Sequence, residues 1–335
     1  MQGEPFLPGP VLASAYHLAG DDVESVPGYL REGNPTWAAY ERALSELEGG
    51  EVVIFSSGMA AASAVLLAVE PGEVLVAPVD GYYGVRKLAS EHVAARGIEV
   101  RLVPNRQADL EAAAEGATVI VAESPSNPGL ETIDVRALCE RAPEAALVID
   151  NTLATPLRLR PLEQGATMTL ASATKALSGH SDLLMGYVAT NDPAWLERLR
   201  AWRGLTGAIP GPIETWLAHR SLATLGVRVE RQEATASALV ALLRGRQEVT
   251  DVRWPGLGAV VCFTLSDADA VERFFAGSDL IIEATSFGGV HTSGERRARW
   301  GADDIAEGFV RFSCGIEDTA DVLDEVGRAL DATLG

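Results

Sequence analysis

Lys175 stands in a run of small and apolar residues, TLASATKALSGHSD (residues 169–182), and is one of two lysines in a chain with 27 basic residues. The other is Lys87. An amine in a dry setting loses charge stabilisation and its pKa falls. The neutral amine is a nucleophile that can form a Schiff base with an aldehyde, which arginine cannot do. A lysine that snorkels to the surface is the plainer reading of the residue alone.

The neighbours change the balance. Asp150 closes the run ALVID at the carboxyl end of a predicted strand, where a carboxylate could keep a pyridine nitrogen protonated. Ser56, Ser57 and Gly58 sit where a strand turns into a helix, a place for phosphate to meet backbone N–H groups. Ser172 and Thr174 flank Lys175 with two more hydroxyls. Asn127, in ESPSNP, is a donor able to reach a phenolic oxygen, and Tyr82 or Tyr83 could stack on a flat ring. Each has a plain alternative when taken singly: a turn, a helix cap or a core aromatic. Jointly they supply an amine, a pyridinium partner, a phosphate cradle, a ring platform and an oxygen donor, the requirements of pyridoxal phosphate.

Such groups need a scaffold that brings strand ends together. From EVVIFSS onward, short Val/Ile/Leu runs alternate with helical patterns: GMAAASAVLLAV, EVLVAPV, GVRKLASEHVAARG, IEVRLVP, DLEAAAEG, TVIVAES, DVRALCERAP, ALVIDN, MTLASATK and LLMGYVAT. Continuous apolar strands bounded by helices predict an α/β fold with a parallel sheet covered on both faces. Ligands of such sheets bind beyond the strands' carboxyl ends, where Ser56-Ser57, Asp80, Glu123-Ser124, Asp150-Asn151 and Ser172 fall. The long helical stretch ETWLAHRSLATLGVRVERQEATASALVALLRG then leads to a smaller α+β domain. Its expected strands are DVRWPG, AVVCFTL, LIIEATSF and FVRFSCG, and its helices ADAVERFFAG and ADVLDEVGRALDATL. The domain reading is a Pro/Gly/Tyr-rich arm over 1–40, a large cofactor-binding domain over 41–215 and a C-terminal domain over 216–335. Within it TWAAYERALSELEGG reads as a helix stopped by Gly49-Gly50.

Composition narrows the classes. A formal charge of −20 repels nucleic acid and anionic membranes. No apolar run is long enough to span a bilayer, and MQGEPFLPGP lacks the layout of a signal peptide, so a cytoplasmic enzyme is expected. Cys139, Cys262 and Cys314 are widely spaced, with no CxxC or HxxxH pattern, and predict neither a metal nor a disulfide framework. A nucleotide-binding dehydrogenase is disfavoured because GxGxxG does not follow the first strand.

The segments YLREGNPT, SSGMAA, DGYYG, ESPSNP, VIDNTLATP, SATKALSGHSD, TSFGG and VRFSCGIED together resemble the cystathionine γ-lyase / cystathionine γ-synthase family of pyridoxal-phosphate enzymes. They run in the family's order from about residue 29 to 318. The wording of AIPGPIETWLAHRSLATL and ERRARWGADDIAEGF is most similar to actinobacterial cystathionine γ-lyases. The resemblance implies a type I, aspartate-aminotransferase-like fold with a mostly parallel seven-stranded sheet sandwiched by helices. It implies pyridoxal 5'-phosphate carried by Lys175, which also moves protons. Asp150 would pair with the pyridine nitrogen, and Tyr82 would stack on the ring and assist proton transfer. Ser57, Gly58, Met59, Ser172 and Thr174 would hold the phosphate. Tyr29 and Arg31 would reach the phosphate of a neighbouring subunit, making a homodimer the minimal unit and a homotetramer the usual assembly. Asn127 would lie near the phenolic oxygen and the substrate, and Arg311 with Ser286 would receive the substrate α-carboxylate.

Elimination at the γ-carbon of cystathionine is the expected reaction. γ-Replacement, as in cystathionine γ-synthase or an acylhomoserine sulfhydrylase, uses the same residues, and an inactive cofactor-binding homologue is a further alternative. Departures from the family's pattern are Tyr83 after Tyr82, Gly84 where methionine γ-lyases carry Cys, Thr285 before Ser286 where cystathionine-handling relatives are often acidic, a short arm, and a missing stretch near Gly258.

Overall fold

The computed structural model describes residues 3, 6–18 and 28–334. Twelve strands among these form two sheets. The first holds β1 (Glu51–Phe55), β2 (Val74–Pro78), β3 (Glu99–Val103), β4 (Val119–Glu123), β5 (Ala146–Asp150), β6 (Met168–Ala171) and β7 (Gly186–Thr190). Its order is β1-β7-β6-β5-β4-β2-β3, and only β7 runs against its neighbours. This is the mostly parallel seven-stranded sheet expected. The second holds β8 (Thr250–Arg253), β9 (Val260–Thr264), β10 (Ile282–Glu283), β11 (Ser293–Arg296) and β12 (Phe309–Ser313), in the order β10-β11-β12-β9-β8.

The helices are α1 (Pro35–Glu48), α2 (Gly58–Leu66), α3 (Tyr83–Lys87), α4 (Gln107–Ala113), α5 (Val135–Arg141), α6 (Pro193–Thr206), α7 (Pro212–Leu222), α8 (Leu225–Arg244), α9 (Ala268–Ala276) and α10 (Thr319–Asp331). Strand side chains alternate between faces, and both faces are covered. Val53 and Phe55 of β1 enter a core with α2, α3 and α6, whereas Val52 and Ile54 pack with Trp37, Tyr40 and Leu44 of α1. Ile120 and Ala122 of β4 face α4 and α5. Asn34 caps α1 through Thr36 N–H, and Gly49, at φ 74°, ends it as predicted.

Four elements depart from the sequence reading. The MTLASATK strand stops at Ala171, because Ser172 N–H turns to Thr152 Oγ1 and Lys175 N–H to Ser172 O. The helix expected after Gly84 is α3 followed by a π-helical turn over Leu88–Val93 and a short 3-10 turn. The long helical stretch breaks into α7 and α8. Arg228, at the start of α8, takes up the Ser221 carbonyl left at that break, and the carbonyls of Ala176 and Leu177 beyond Lys175. LIIEATSF yields only the two-residue β10, and β11 was not foreseen. The first half of α8 packs on the large sheet's core through Leu225 and Val229, and the second half on the small sheet's core through Leu239 and Leu243. That helix therefore belongs to both bodies and fixes the cleft between them.

Near Gly258, where the resemblance implies a missing stretch, β8 turns into β9 within six residues of intervening chain (254–259). Gly258 adopts φ +72°, donates its N–H to Glu233 Oε1 at 2.8 Å, and would bring a Cβ within 3.1 Å of Leu153 O. Gly258→Ala is expected to lower stability by about 1 kcal/mol, since an L-residue resists the left-handed conformation. A urea denaturation midpoint reads the change.

Candidate active site

One cavity of about 740 Å³ opens between the large sheet's strand ends and the small sheet. Its wall includes Ser57, Gly58, Met59, Tyr82, Asn127, Asp150, Ser172, Thr174, Lys175, Ser286 and Arg311. Tyr29 and Arg31 do not line it on this chain; Arg31 Nη1 donates to Gly204 O at 3.1 Å, and its guanidinium lies 5.9 Å from the Tyr29 ring.

Parallel strand ends place the first group. Asp150 ends β5, and its Oδ1 accepts from Thr152 Oγ1 at 2.6 Å and Thr152 N at 3.0 Å. The same Thr152 oxygen accepts Ser172 N–H at 2.9 Å, so the carboxylate and the turn before Lys175 are tied together. Ser57 caps α2 through Ala60 N–H at 3.0 Å. The N–H groups of Gly58 and Met59 head that helix, where no intrahelical acceptor exists. A Cβ on Gly58 would meet Ser172 Cβ at 2.9 Å, so glycine is what lets the helix start approach the Lys175 turn. Thr174 spends its hydroxyl on Met185, donating to its carbonyl and accepting its N–H.

The small sheet supplies the opposing wall. Lys175 Nζ donates to Ser286 Oγ at 2.7 Å, and Ser286 holds φ +90°, a strained value for serine. Arg311 of β12 donates from Nη1 to Asn127 Oδ1 at 2.6 Å and from Nη2 to Ser286 O at 3.3 Å, and pairs with Glu295 of β11. The Phe287 ring lies close to both, 4.9 Å from Lys175 Nζ and 5.0 Å from the Arg311 guanidinium carbon. Among the described residues Arg311 Nε is buried without a partner, which leaves a donor for an incoming carboxylate.

Burial, aided by the charge of Arg311, lowers the Lys175 pKa to about 8, with Glu295 opposing. Burial pushes the Asp150 carboxyl up while the Thr152 bonds pull it down. It pushes the Tyr82 hydroxyl up, as does Tyr83, whose ring centroid is 5.1 Å away. The sign for Lys175 is direct. Below about 8 the amine is protonated and inert; above it the nucleophile is free. Imine formation between the cofactor-free protein and an added aldehyde is expected to accelerate with pH until about 8 and then level off, as followed by stopped-flow absorbance.

Residues 11–331 match the family described as Cys/Met metabolism PLP-dependent enzyme. The chain belongs to that family. It is 47% identical over 355 residues to a Streptomyces coelicolor protein named "Putative cystathionine gamma-lyase", covering 98% of this chain and 90% of that one. It is 35% identical to the cystathionine gamma-synthase of Escherichia coli over 96% of this chain and 92% of that one. The crystal structure of cystathionine gamma synthase from Xanthomonas oryzae pv. oryzae in complex with cystathionine superposes with TM-score 0.93 at 32% identity, covering 98% of this chain and 93% of that one.

Membership makes pyridoxal 5'-phosphate the cofactor. The cavity fits the group: an amine of lowered pKa, a carboxylate at a strand end, and a helix start kept open by glycine.

Several residues in the wall or directly behind it escaped the sequence reading. Thr152 carried no signal beyond a turn after ALVIDN. Glu123 entered only as a polar strand tip, yet it lines the cavity and bonds the main chains of Tyr82 and Asn127. Glu295, Arg297 and Trp300 fall in SGERRARW, whose charge density reads as surface. They are instead joined through Glu295, which pairs with Arg297 and accepts Trp300 Nε1 at 2.9 Å; Arg297 in turn pairs with Asp303, which meets Arg86 of α3 at 2.9 Å.

Proposed function

We propose that the protein cleaves L-cystathionine by α,γ-elimination, with water giving L-cysteine, 2-oxobutanoate and ammonia. The observation that carries this reading is the placement of the Lys175 amine, 2.7 Å from Ser286, beside the buried fork of Arg311, whose Nε is unpartnered. The 47% identity to the Streptomyces protein named for that activity supports the choice of bond. Gly84 supports it too. A Cβ there would meet Met59 Sδ at 2.8 Å and Tyr82 Cε1 at 2.9 Å, so the cysteine of methionine γ-lyases would need both side chains to move.

In this reading Gly58, Met59, Ser57 and Ser172 hold the phosphate, with Thr174 beside it giving up its bonds to Met185 to join them, Asp150 holds the pyridine nitrogen, and Tyr82 faces the ring. Pyridoxal phosphate, when bound, supplies the electron sink for the pair left on the substrate Cα. Arg311 receives the α-carboxylate through the Nε side and sets the Cα–H bond against Lys175. Lys175, whose pKa lowered to about 8 brings the neutral amine within reach of the physiological range, takes the α-proton and returns protons later in the cycle. Ser286 holds Nζ within reach while the proton moves, and Asn127 keeps Arg311 in place. The same reading takes a homodimer as the minimal unit within a homotetramer, with Tyr29 and Arg31 serving the neighbouring cavity, a cytoplasmic location, and domains divided at residues 40 and 215.

Mass-spectrometric product analysis tests it. Cystathionine should yield cysteine and 2-oxobutanoate. Pyruvate and homocysteine would make it a β-lyase. Consumption of acylated homoserine with a thiol, without turnover of cystathionine, would make it a γ-replacement enzyme. Absence of ammonia release from every sulfur amino acid, with the cofactor bound, would mark an inactive homologue.

A further inference from the structure

Glu123 is a buried carboxylate to which the mechanism above gives no part. It ends β4 beside Asp150, its register partner on β5, and is 4% exposed. Its Oε1 accepts Tyr82 N–H at 2.5 Å, and its Oε2 accepts Asn127 N–H at 2.9 Å. One side chain thus spans two loops, one leading into α3 and the other following β4. A carboxylate is required for this, because it offers acceptors on both oxygens, whereas an amide offers one acceptor and a donor. The cost of keeping it is visible. Burial and the neighbouring anions Asp150 and Asp80 push its proton affinity up, and the two N–H bonds offset part of that.

The surrounding chain is built around this group. A Cβ on Gly81 would meet Glu123 Oε1 at 2.7 Å and Pro78 Cγ at 2.7 Å, so glycine before Tyr82 leaves room for the carboxylate. Asn105, fully buried, grips the main chain of Glu123 from the other side, accepting its N–H at 2.9 Å and donating to its carbonyl at 2.8 Å.

We propose that Glu123 is a positioning residue of the cofactor site, whose carboxylate sets the spacing of the Tyr82 and Asn127 loops across the cavity. It acts through main-chain N–H groups and touches no reacting atom. The inference rests on pyridoxal-phosphate binding, which the family establishes, and not on which sulfur compound is cleaved. Its test therefore needs no substrate and is separable from product analysis.

Glu123→Gln keeps one acceptor and turns an NH₂ group toward the other N–H. Equilibrium dialysis is expected to give a Kd for pyridoxal phosphate about tenfold higher, equal to about 1.4 kcal/mol. The visible circular-dichroism band per bound cofactor should weaken, because the ring meets a displaced tyrosine loop. Asn105→Ala is the comparison variant: it removes the main-chain grip and leaves the carboxylate's acceptors, so it should lower the thermal midpoint with a smaller change in Kd. A Glu123→Gln protein with a lowered midpoint but unchanged Kd and dichroism would overturn the proposal, as would an Asn105→Ala protein with an equal loss of cofactor affinity. Should Glu123→Gln not accumulate in folded form, Gly81→Ala displaces the same carboxylate from the opposite side. A wild-type Kd and dichroism in that variant would equally overturn it.

Discussion

Lys175→Ala is expected to release ammonia from cystathionine at least about 10⁴-fold more slowly than the wild type, the upper range for loss of a positioned base. The same side chain serves as cofactor anchor and proton carrier, so the two losses fall together. Borohydride treatment should leave no cofactor attached to the alanine variant, as mass spectrometry of the intact chain would show. Lys175→Arg should fare no better, because a guanidinium does not shed its proton at neutral pH. The fold should survive both changes: the lysine side chain donates one hydrogen bond, to Ser286, and its turn is held by main-chain bonds and by Arg228. Wild-type turnover in Lys175→Ala would remove the amine from the mechanism.

Arg311→Lys has the second-largest expected effect. Arg311 is 4% exposed, and its guanidinium serves Asn127, Ser286 and Glu295 at once while keeping Nε free. A single ammonium cannot reproduce that fork. The expected result is a fall in kcat/KM of about 100-fold, about 2.7 kcal/mol, carried mostly by KM. Burial lowers the Arg311 pKa only to about 10, so the wild-type clamp stays charged through the neutral range. Its contribution to KM should accordingly be flat from pH 6 to about 9, unlike the Lys175 limb near 8. Arg311→Met separates binding from folding. It leaves Glu295, 1% exposed, with only Arg297 and Trp300, and removing one partner of a buried pair costs about 3 kcal/mol. The Met variant should thus lose stability in urea where the Lys variant keeps most of it. An unchanged KM in Arg311→Lys would place the substrate carboxylate elsewhere.

The amino-acid sequence by itself determined the α/β alternation, because strand and helix periods are local properties written in neighbouring residues. VIVAE and ALVID are buried on both faces, and their apolar runs said so. The unusual lysine, the strand-end aspartate and the serine-glycine turn were readable for the same reason, since each is a residue type at a recognisable point of a local motif. Tertiary structure alone decided what faces them. Lys175 meets Ser286 across 111 positions, and Arg311 meets Asn127 across 184. The strand Ser293–Arg296 has no apolar alternation to announce it; its glutamate is buried because Arg311 and Arg297 neutralise it there. Glu123 likewise became intelligible only when two distant N–H groups closed on it. Charge in a sequence predicts surface, because an isolated ion belongs in water. Only the folded chain reveals which ions have partners that let them leave it.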